Sequence, residues 1–446
     1  MQYRNMTETS RRHRRFTIVF IAVLFVMCLS IAGITALVDC YGVVGTTTIN
    51  GITDHKSARY ETLSKPYLAE HLKPRTIVTG SSIPNVGIDP NSPFWSSFDQ
   101  PVFNFGVNGA SPTTQHLVLI NAISYNAPRL VVILTSFEDD VPYLDWTTST
   151  QQRAQDKEFS ERLRLTEAEL PNKSRPAAVL HDYVFSLLSV NALKDSVRTL
   201  FSPLTPEKDF LLSNGFEVRR SFDTNDGEHI ARSEVDQKHR DMAPRLLMWM
   251  QRPNWPVGKL TQMIMAARSA GADVAVVIAP TYIEQEEMHR RLDLLPVIRD
   301  WRNKLVEVVD RLGRLEPARG SLVLWDFQAL DTFTNEPLPP SGTNIQMMRW
   351  WWDTSHFRPE LGAMIIKRIE TQNGQNDFGA RLDKTNADIQ WNIGQNLLDR
   401  WEISNPERVE FIKSEVDRAQ HYVCNKKPEV CVDLTHDLHS AASNKK

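Results

Sequence analysis

The sequence predicts an α/β domain built on a parallel sheet and carried behind one N-terminal membrane helix. Three observations predict it. Five short apolar runs read as strands buried on both faces. Amphipathic helical patterns alternate with those runs, the signature of βαβ units. An uncharged stretch, Phe16 to Val38, follows a cluster of arginines. The 446 residues exceed what one hydrophobic core needs, and a hydrophobic share of 41% calls for a folded body.

The uncharged stretch spans roughly 34 Å as a helix, enough to cross a bilayer. Arg4, Arg11, Arg12, Arg14 and Arg15 precede it against a single acid, Glu8. The positive-inside rule then makes residues 1–15 a cytoplasmic stub and places everything after 16–38 outside. A cleaved signal peptide fits less well, because its apolar region is usually only about 7–15 residues. The segment ITALVDC also lacks a small-x-small cleavage site, and Asp39 before Cys40 argues against a lipoprotein. Export permits disulfides, so Cys424 and Cys431 form either a small loop or two free thiols, while Cys28 lies in the span. Four cysteines exclude a disulfide-dense scaffold and supply no CxxC pair. With 51 basic against 54 acidic residues, no global basic field for nucleic acid is expected.

Residues 39–73 read as a membrane-proximal linker. The strands follow within 74–372: Arg75 to Gly80, Pro101 to Gly106, Arg129 to Ser136, Asp273 to Pro280 and Ser321 to Phe327. Ser111 to Ala127 reads as a helix. Leu260, Met263, Ile264 and Ala267 make a helical stripe stopped by Gly271. Val297, Trp301, Leu305, Val308 and Leu312 make another, ending at Gly313. A last helix begins near Pro359 with Leu361, Ile365 and Ile369 on one face. Residues 137–255 break the alternation. About 120 residues are too many for a plain loop, so they read as a mostly helical inserted subdomain, with a lid as one role. Residues 373–446 read as a polar, amphipathic extension.

Three motifs fall at the C-terminal ends of strands or before the last helix, the edge where open parallel sheets place their sites. Thr79-Gly80-Ser81-Ser82 follows the first strand and can present a serine at a tight turn. Asn104-Phe105-Gly106-Val107-Asn108-Gly109-Ala110-Ser111 follows the second, and its N-x-G-x-x-G turn can aim a backbone N–H at a neighbouring loop. Asp353-Thr354-Ser355-His356 precedes the last helix, so one loop could hold a histidine and the acid that orients it. Taken singly, each is more often a turn, a cap or an exposed pair.

Together, in this order, the three motifs resemble the SGNH/GDSL hydrolase superfamily over roughly residues 74–370. The resemblance implies a flavodoxin-like three-layer SGNH fold with a parallel sheet, a large helical insertion and the membrane helix. It implies Ser82 as nucleophile, His356 as general base and Asp353 as its orienting acid. The backbone N–H groups of Gly109 and Ser82 would bind the oxyanion. No metal or organic cofactor is implied. Two positions depart from the pattern. Ser81 replaces the Asp of Gly-Asp-Ser, and the third block, usually G-x-N-D, reads Thr135-Ser136-Phe137-Glu138-Asp139. The asparagine oxyanion donor is therefore missing, with Ser136 and Asn108 as candidate replacements.

The anchor, the Gly-Ser-Ser block and the late Trp-Asp-x-x-His block are similar to a membrane-anchored, extracytoplasmic branch that includes alginate O-acetylation proteins and the D-alanyl transfer protein of teichoic acid synthesis. That resemblance implies a serine acyltransferase at a bacterial inner membrane with its main domain in the periplasm. It would O-acylate, foremost O-acetylate, an envelope or secreted polysaccharide through an acyl-serine. A membrane-bound O-acyltransferase is the implied partner. A carbohydrate esterase and a non-catalytic scaffold of a polysaccharide-modification complex are the alternatives. Arg349-Trp350-Trp351-Trp352 either packs the core or offers a sugar-stacking surface, Trp352 being the candidate substrate contact. His71, His116, His229, His239 and His289 lack metal-ligand spacing and read as structural or solvated.

Overall fold

The computed structural model describes residues 2–49, 52–139, 157–201, 209–221, 230–249, 257–315, 320–328, 332–345, 347–371 and 378–426. All five expected strands form: β1 (Thr76–Gly80), β2 (Val102–Gly106), β3 (Leu130–Thr135), β6 (Asp273–Ile278) and β7 (Leu322–Asp326). They pair in parallel in the order β2-β1-β3-β6-β7. A two-residue strand, β8 (Ala380–Arg381), adds antiparallel to β7. Every residue of β1 and β2 is buried, as continuous apolar runs require of a sheet covered on both faces. A two-stranded hairpin, β4 (Phe210–Leu211) and β5 (Glu217–Val218), forms a sheet of its own, and its turn is held to β2 where the Asn104 N–H donates to the Asn214 carbonyl at 2.9 Å.

The first helix, α1 (Gln2–Val38), contains an apolar segment from His13 to Val38 long enough to span a membrane. Residues 39–73 are structured: α2 (Glu61–Leu72) packs against β2 and against α4 (Pro112–Tyr125). Helix α4 starts where Ser111 Oγ accepts the Thr114 N–H at 3.2 Å, with Pro112 in the first turn. Between them, α3 (Ser82–Gly87) leaves β1 directly.

The residues of 137–255 that are described go to four places. The first of these, residues 157–174, buries Phe159 and Leu163 in the main core and bonds Leu165 to Asn121 of α4. Helices α5 (Arg175–Leu188) and α6 (Val190–Phe201) pack on the end of α1. The hairpin packs by β5 on α3. Helix α7 (Ala231–Trp249) joins the main core. Helix α8 (Gly258–Ser269) lies on β6 and α4, and α9 (Ile283–Arg291) follows β6. Helix α10 (Leu295–Leu315) runs through Gly313 rather than ending there. One glycine costs only about 1 kcal/mol, against a stripe of buried Ile298, Trp301, Leu305 and Leu312. Helix α11 (Pro359–Thr371) is not the last helix. Two more, α12 (Ala387–Ser404) and α13 (Pro406–Lys426), bury Leu398, Trp401, Ile412 and Val416 in the same core, and α13 lies along α7. Cys424 is disulfide-bonded, and Cys431 and His229 lie outside the described residues.

Candidate active site

The three motifs meet at the C-terminal edge of the sheet. Ser82, the first residue of α3, puts its Oγ 2.7 Å from His356 Nε2. His356 Nδ1 lies 2.7 Å from Asp353 Oδ2. Asp353 Oδ1 also accepts the N–H groups of Ser355 at 2.7 Å and His356 at 2.9 Å. The same carboxylate thus closes the turn and aligns the ring. With Asp353 ionised, Nδ1 carries the proton and Nε2 is left to accept the Ser82 hydroxyl.

The loop is held on both sides. Trp351 and Phe357 form a β-bridge, and Arg358 N–H donates to the Trp350 carbonyl at 2.8 Å. Thr354 Oγ1 bonds Gln285 Oε1 on α9 at 2.9 Å. Glu336 accepts the N–H groups of Arg349 and Trp350. Helix α11 then presses Gly362 onto the end of α3. A Cβ at Gly362 would sit 1.8 Å from the Gly87 carbonyl, so only glycine lets the serine-bearing and histidine-bearing segments approach.

Burial lowers the pKa of His356, opposed by Asp353 and reinforced by Lys238 and Arg219. The imidazole is therefore neutral near pH 7 and able to act as a base. Burial would raise Asp353, but His356, Lys238 and the turn hydrogen bonds outweigh it and hold the carboxyl well below its usual range. Lys238 comes from α7 and Arg219 from the end of the hairpin, so two parts of residues 137–255 supply positive charge to this site. Neither was legible as a site residue in the sequence.

Gly109 sits on the rim with φ +67° and open space where a side chain would project. Its loop is fixed by a buried polar network that sequence reasoning missed. Fully buried Lys65 donates to Asn85 Oδ1 at 2.6 Å and to the Gly106 carbonyl. Burial pulls its pKa down to about 8, against Glu61 and Glu217. Asn85 Nδ2 donates to both carboxylates, at 3.0 and 2.8 Å. Asn108 N–H donates to Glu61 at 3.1 Å and its amide to Glu217 at 2.9 Å. An i, i+4 Glu61/Lys65 pair reads as a surface ion pair, so nothing local signalled its burial.

Both candidate replacements for the missing amide already have partners. The Asn108 amide gives one of its two hydrogens to Glu217. Ser136 is buried, and its Oγ accepts the Asp139 N–H at 3.2 Å. In the third block Glu138 instead pairs with buried His289 at 2.9 Å. Trp352, the candidate substrate contact of a cluster that also reads as core packing, is only 5% exposed, and the Arg358 guanidinium lies 3.8 Å from its ring centre. In this arrangement the ring packs against Arg358.

A cleft of about 600 Å³ opens beside Asn108 and Gly109, walled by residues 58–63 and by Arg162, His181 and Phe185. Glu158, His181 and Asp182 cluster on its wall like metal ligands. Arg162 already spans Asp182, at 2.6 and 3.0 Å, and Glu158 at 2.5 Å, so this is a built ion-pair cluster. No family model matches the chain, and comparisons with curated proteins and with solved structures return no match.

Proposed function

We propose that the protein is an extracytoplasmic, membrane-anchored serine acyltransferase of SGNH type that O-acylates, foremost O-acetylates, a cell-envelope or secreted polysaccharide. The observation that carries the reading is the Ser82–His356–Asp353 relay, 2.7 Å at each link, at the C-terminal edge of a parallel sheet. The flavodoxin-like strand order supports the same fold reading. The arginine-flanked apolar helix supports a cytoplasmic N-terminus and a periplasmic main domain; the membrane-bound O-acyltransferase as donor partner rests on the family resemblance alone.

In this mechanism His356 Nε2 takes the Ser82 proton as Oγ attacks the acyl carbonyl. Backbone N–H groups of Ser82 and Gly109 receive the oxyanion, and Lys238 and Arg219 add positive potential. The tetrahedral intermediate collapses, and His356 returns its proton to the leaving group. A sugar hydroxyl then gives its proton to His356 as it attacks the acyl-serine. The second tetrahedral intermediate breaks the acyl–Oγ bond, His356 returns the proton to Ser82 Oγ, and the sugar leaves as the ester. Water in that second step would make the protein a carbohydrate esterase. Asn108 and Ser136 both have other partners, and a site that uses neither as a side-chain oxyanion donor typically loses about 100- to 1000-fold in rate. That loss is the feature favouring a non-catalytic scaffold.

The test treats the full chain in detergent with a serine-reactive fluorophosphonate and maps the adduct by peptide mass spectrometry. An adduct on Ser82 that vanishes in Ser82→Ala and His356→Ala is expected. A folded chain with no adduct would favour the scaffold. Acetyl transfer from an activated ester to an added glycan, against release of free acetate, then separates transferase from esterase.

A further inference from the structure

The two helices that follow residue 174 carry exposed apolar faces that the acyl-transfer site does not use. On α5, Leu180, Val184 and Leu188 recur at i, i+4 and i+8 and are 67%, 52% and 47% exposed. On α6, Val190, Val197 and Phe201 share one face and are 81%, 45% and 55% exposed, with Lys194 and Arg198 beside them. A water-facing helix pair has no reason to show two apolar stripes.

Their position identifies what covers them. Both helices pack on α1. Thr35 Oγ1, inside the apolar segment that ends at Val38, donates to the Leu187 carbonyl at 2.8 Å. Three residues of helix rise place that contact about 4–5 Å inside the end of the segment. Tyr41 Oη donates to Asp195 at 2.8 Å, and Tyr41 stacks on Phe185 with ring centres 5.7 Å apart, fixing the pair to the anchor just beyond it. When α1 spans a bilayer, the α5–α6 turn is therefore drawn to the level of the headgroups and upper acyl chains.

We propose that α5 and α6 lie in the membrane interface as an amphipathic pair, with a phospholipid surface as their partner. The stripes enter the acyl boundary, while Lys194 reaches the headgroups beside the Arg198–Asp195 ion pair. The anchor is then not a free tether. It and the helix pair form one footing that sets the height and tilt of the body above the lipid. This inference does not depend on the acyl-transfer reading.

Nitroxide accessibility in bilayers of phosphatidylcholine and phosphatidylglycerol tests it on the full chain. Single labels are placed at Val184→Cys and Val197→Cys in a Cys28→Ser background. Cys28 in the unaltered chain serves as the lipid reference, and Lys413→Cys on α13 as the water reference. Positions 184 and 197 are exposed, so the labels leave the core intact. Both are expected to collide more with oxygen than with a water-soluble nickel chelate, as Cys28 does, with the ratio reversed at 413. A water-like ratio at both positions would overturn the proposal. So would exclusion of both reagents that is relieved by diluting labelled with unlabelled chain, since a second copy would then be the cover.

Discussion

Two histidine–carboxylate pairs stand at the same edge of the sheet and are tuned in opposite directions. His356 faces Asp353 and feels the positive charges of Lys238 and Arg219; burial and those charges keep it below its ordinary value. His289 is also buried, but it sits 2.9 Å from Glu138 and 3.7 Å from Glu286. Burial would lower it, yet the two carboxylates lift it to about 10. One ring can take and return a proton near neutral pH. The other is held toward its cationic form by Glu138 and Glu286, and its contact with Glu138 links the loop after β3 to α9. Burial alone does not make a histidine a base: the sign of the surrounding charge decides.

The sharpest break in the comparison is to remove each ring. His356→Gln is expected to reduce fluorophosphonate labelling and turnover by about 10,000-fold or more, with little change in melting temperature. His289→Gln is expected to do the reverse. It strands Glu138 and Glu286 in the interior and should cost about 3–5 kcal/mol of stability, read by denaturant unfolding of the detergent-solubilised chain. If His289→Gln left stability intact and abolished labelling, the division of roles would be wrong.

Geometry gives the next effect. Gly362→Ala drives a methyl into the Gly87 carbonyl and should separate α3 from α11, costing about 1–3 kcal/mol in stability. Because Ser82 and His356 ride on those two segments, labelling of Ser82 should fall in the folded variant as well. An unchanged labelling rate would show that the relay does not depend on this close approach.

The raised His289 also has a pH signature. His289 has a folded value above its ordinary 6.5, so its stabilisation is complete below about pH 6.5 and is lost progressively as pH rises toward about 10. Glu138 is held below its ordinary 4.5 by the same pair, so its share is present above that value and is lost in acid. The pair should therefore stabilise most between about pH 4.5 and 6.5, and Glu138→Gln should flatten the decline on the alkaline side. A decline of equal slope in that variant would assign it to other groups.

The readable half of the site is the half built from chain-local rules. Gly80 to Ser82, Asn104 to Gly109 and Asp353 to His356 each follow a strand or precede a helix, so their places could be read from periodicity and turn chemistry. The five strands were legible for the same reason. Lys65, Asn85, Glu217 and Lys238 were not, because their importance arises from burial between segments distant in sequence. A lysine at i+4 from a glutamate looks identical whether water or Asn85 receives it. Helices α12 and α13 were obscured by their charged outer faces, although Trp401, Ile412 and Val416 already marked a buried stripe.

The smallest expected effect addresses Lys238, the charge that most distinguishes the two histidines. It is half-buried on α7, and it lowers both His356 and Asp353. In Lys238→Gln that positive charge is gone, so protonated His356 becomes easier to form. The acid limb of the pH–labelling profile should move to higher pH, while the rate on the plateau changes little. Arg219→Gln should move it in the same direction by less, since its influence on His356 ranks behind that of Lys238. Asp353 stays ionised throughout, because His356 and the N–H groups of Ser355 and His356 still hold it. A limb that stayed in place, or moved to lower pH, would mean that the positive charge contributed by α7 does not reach the ring, leaving burial alone to explain its neutrality.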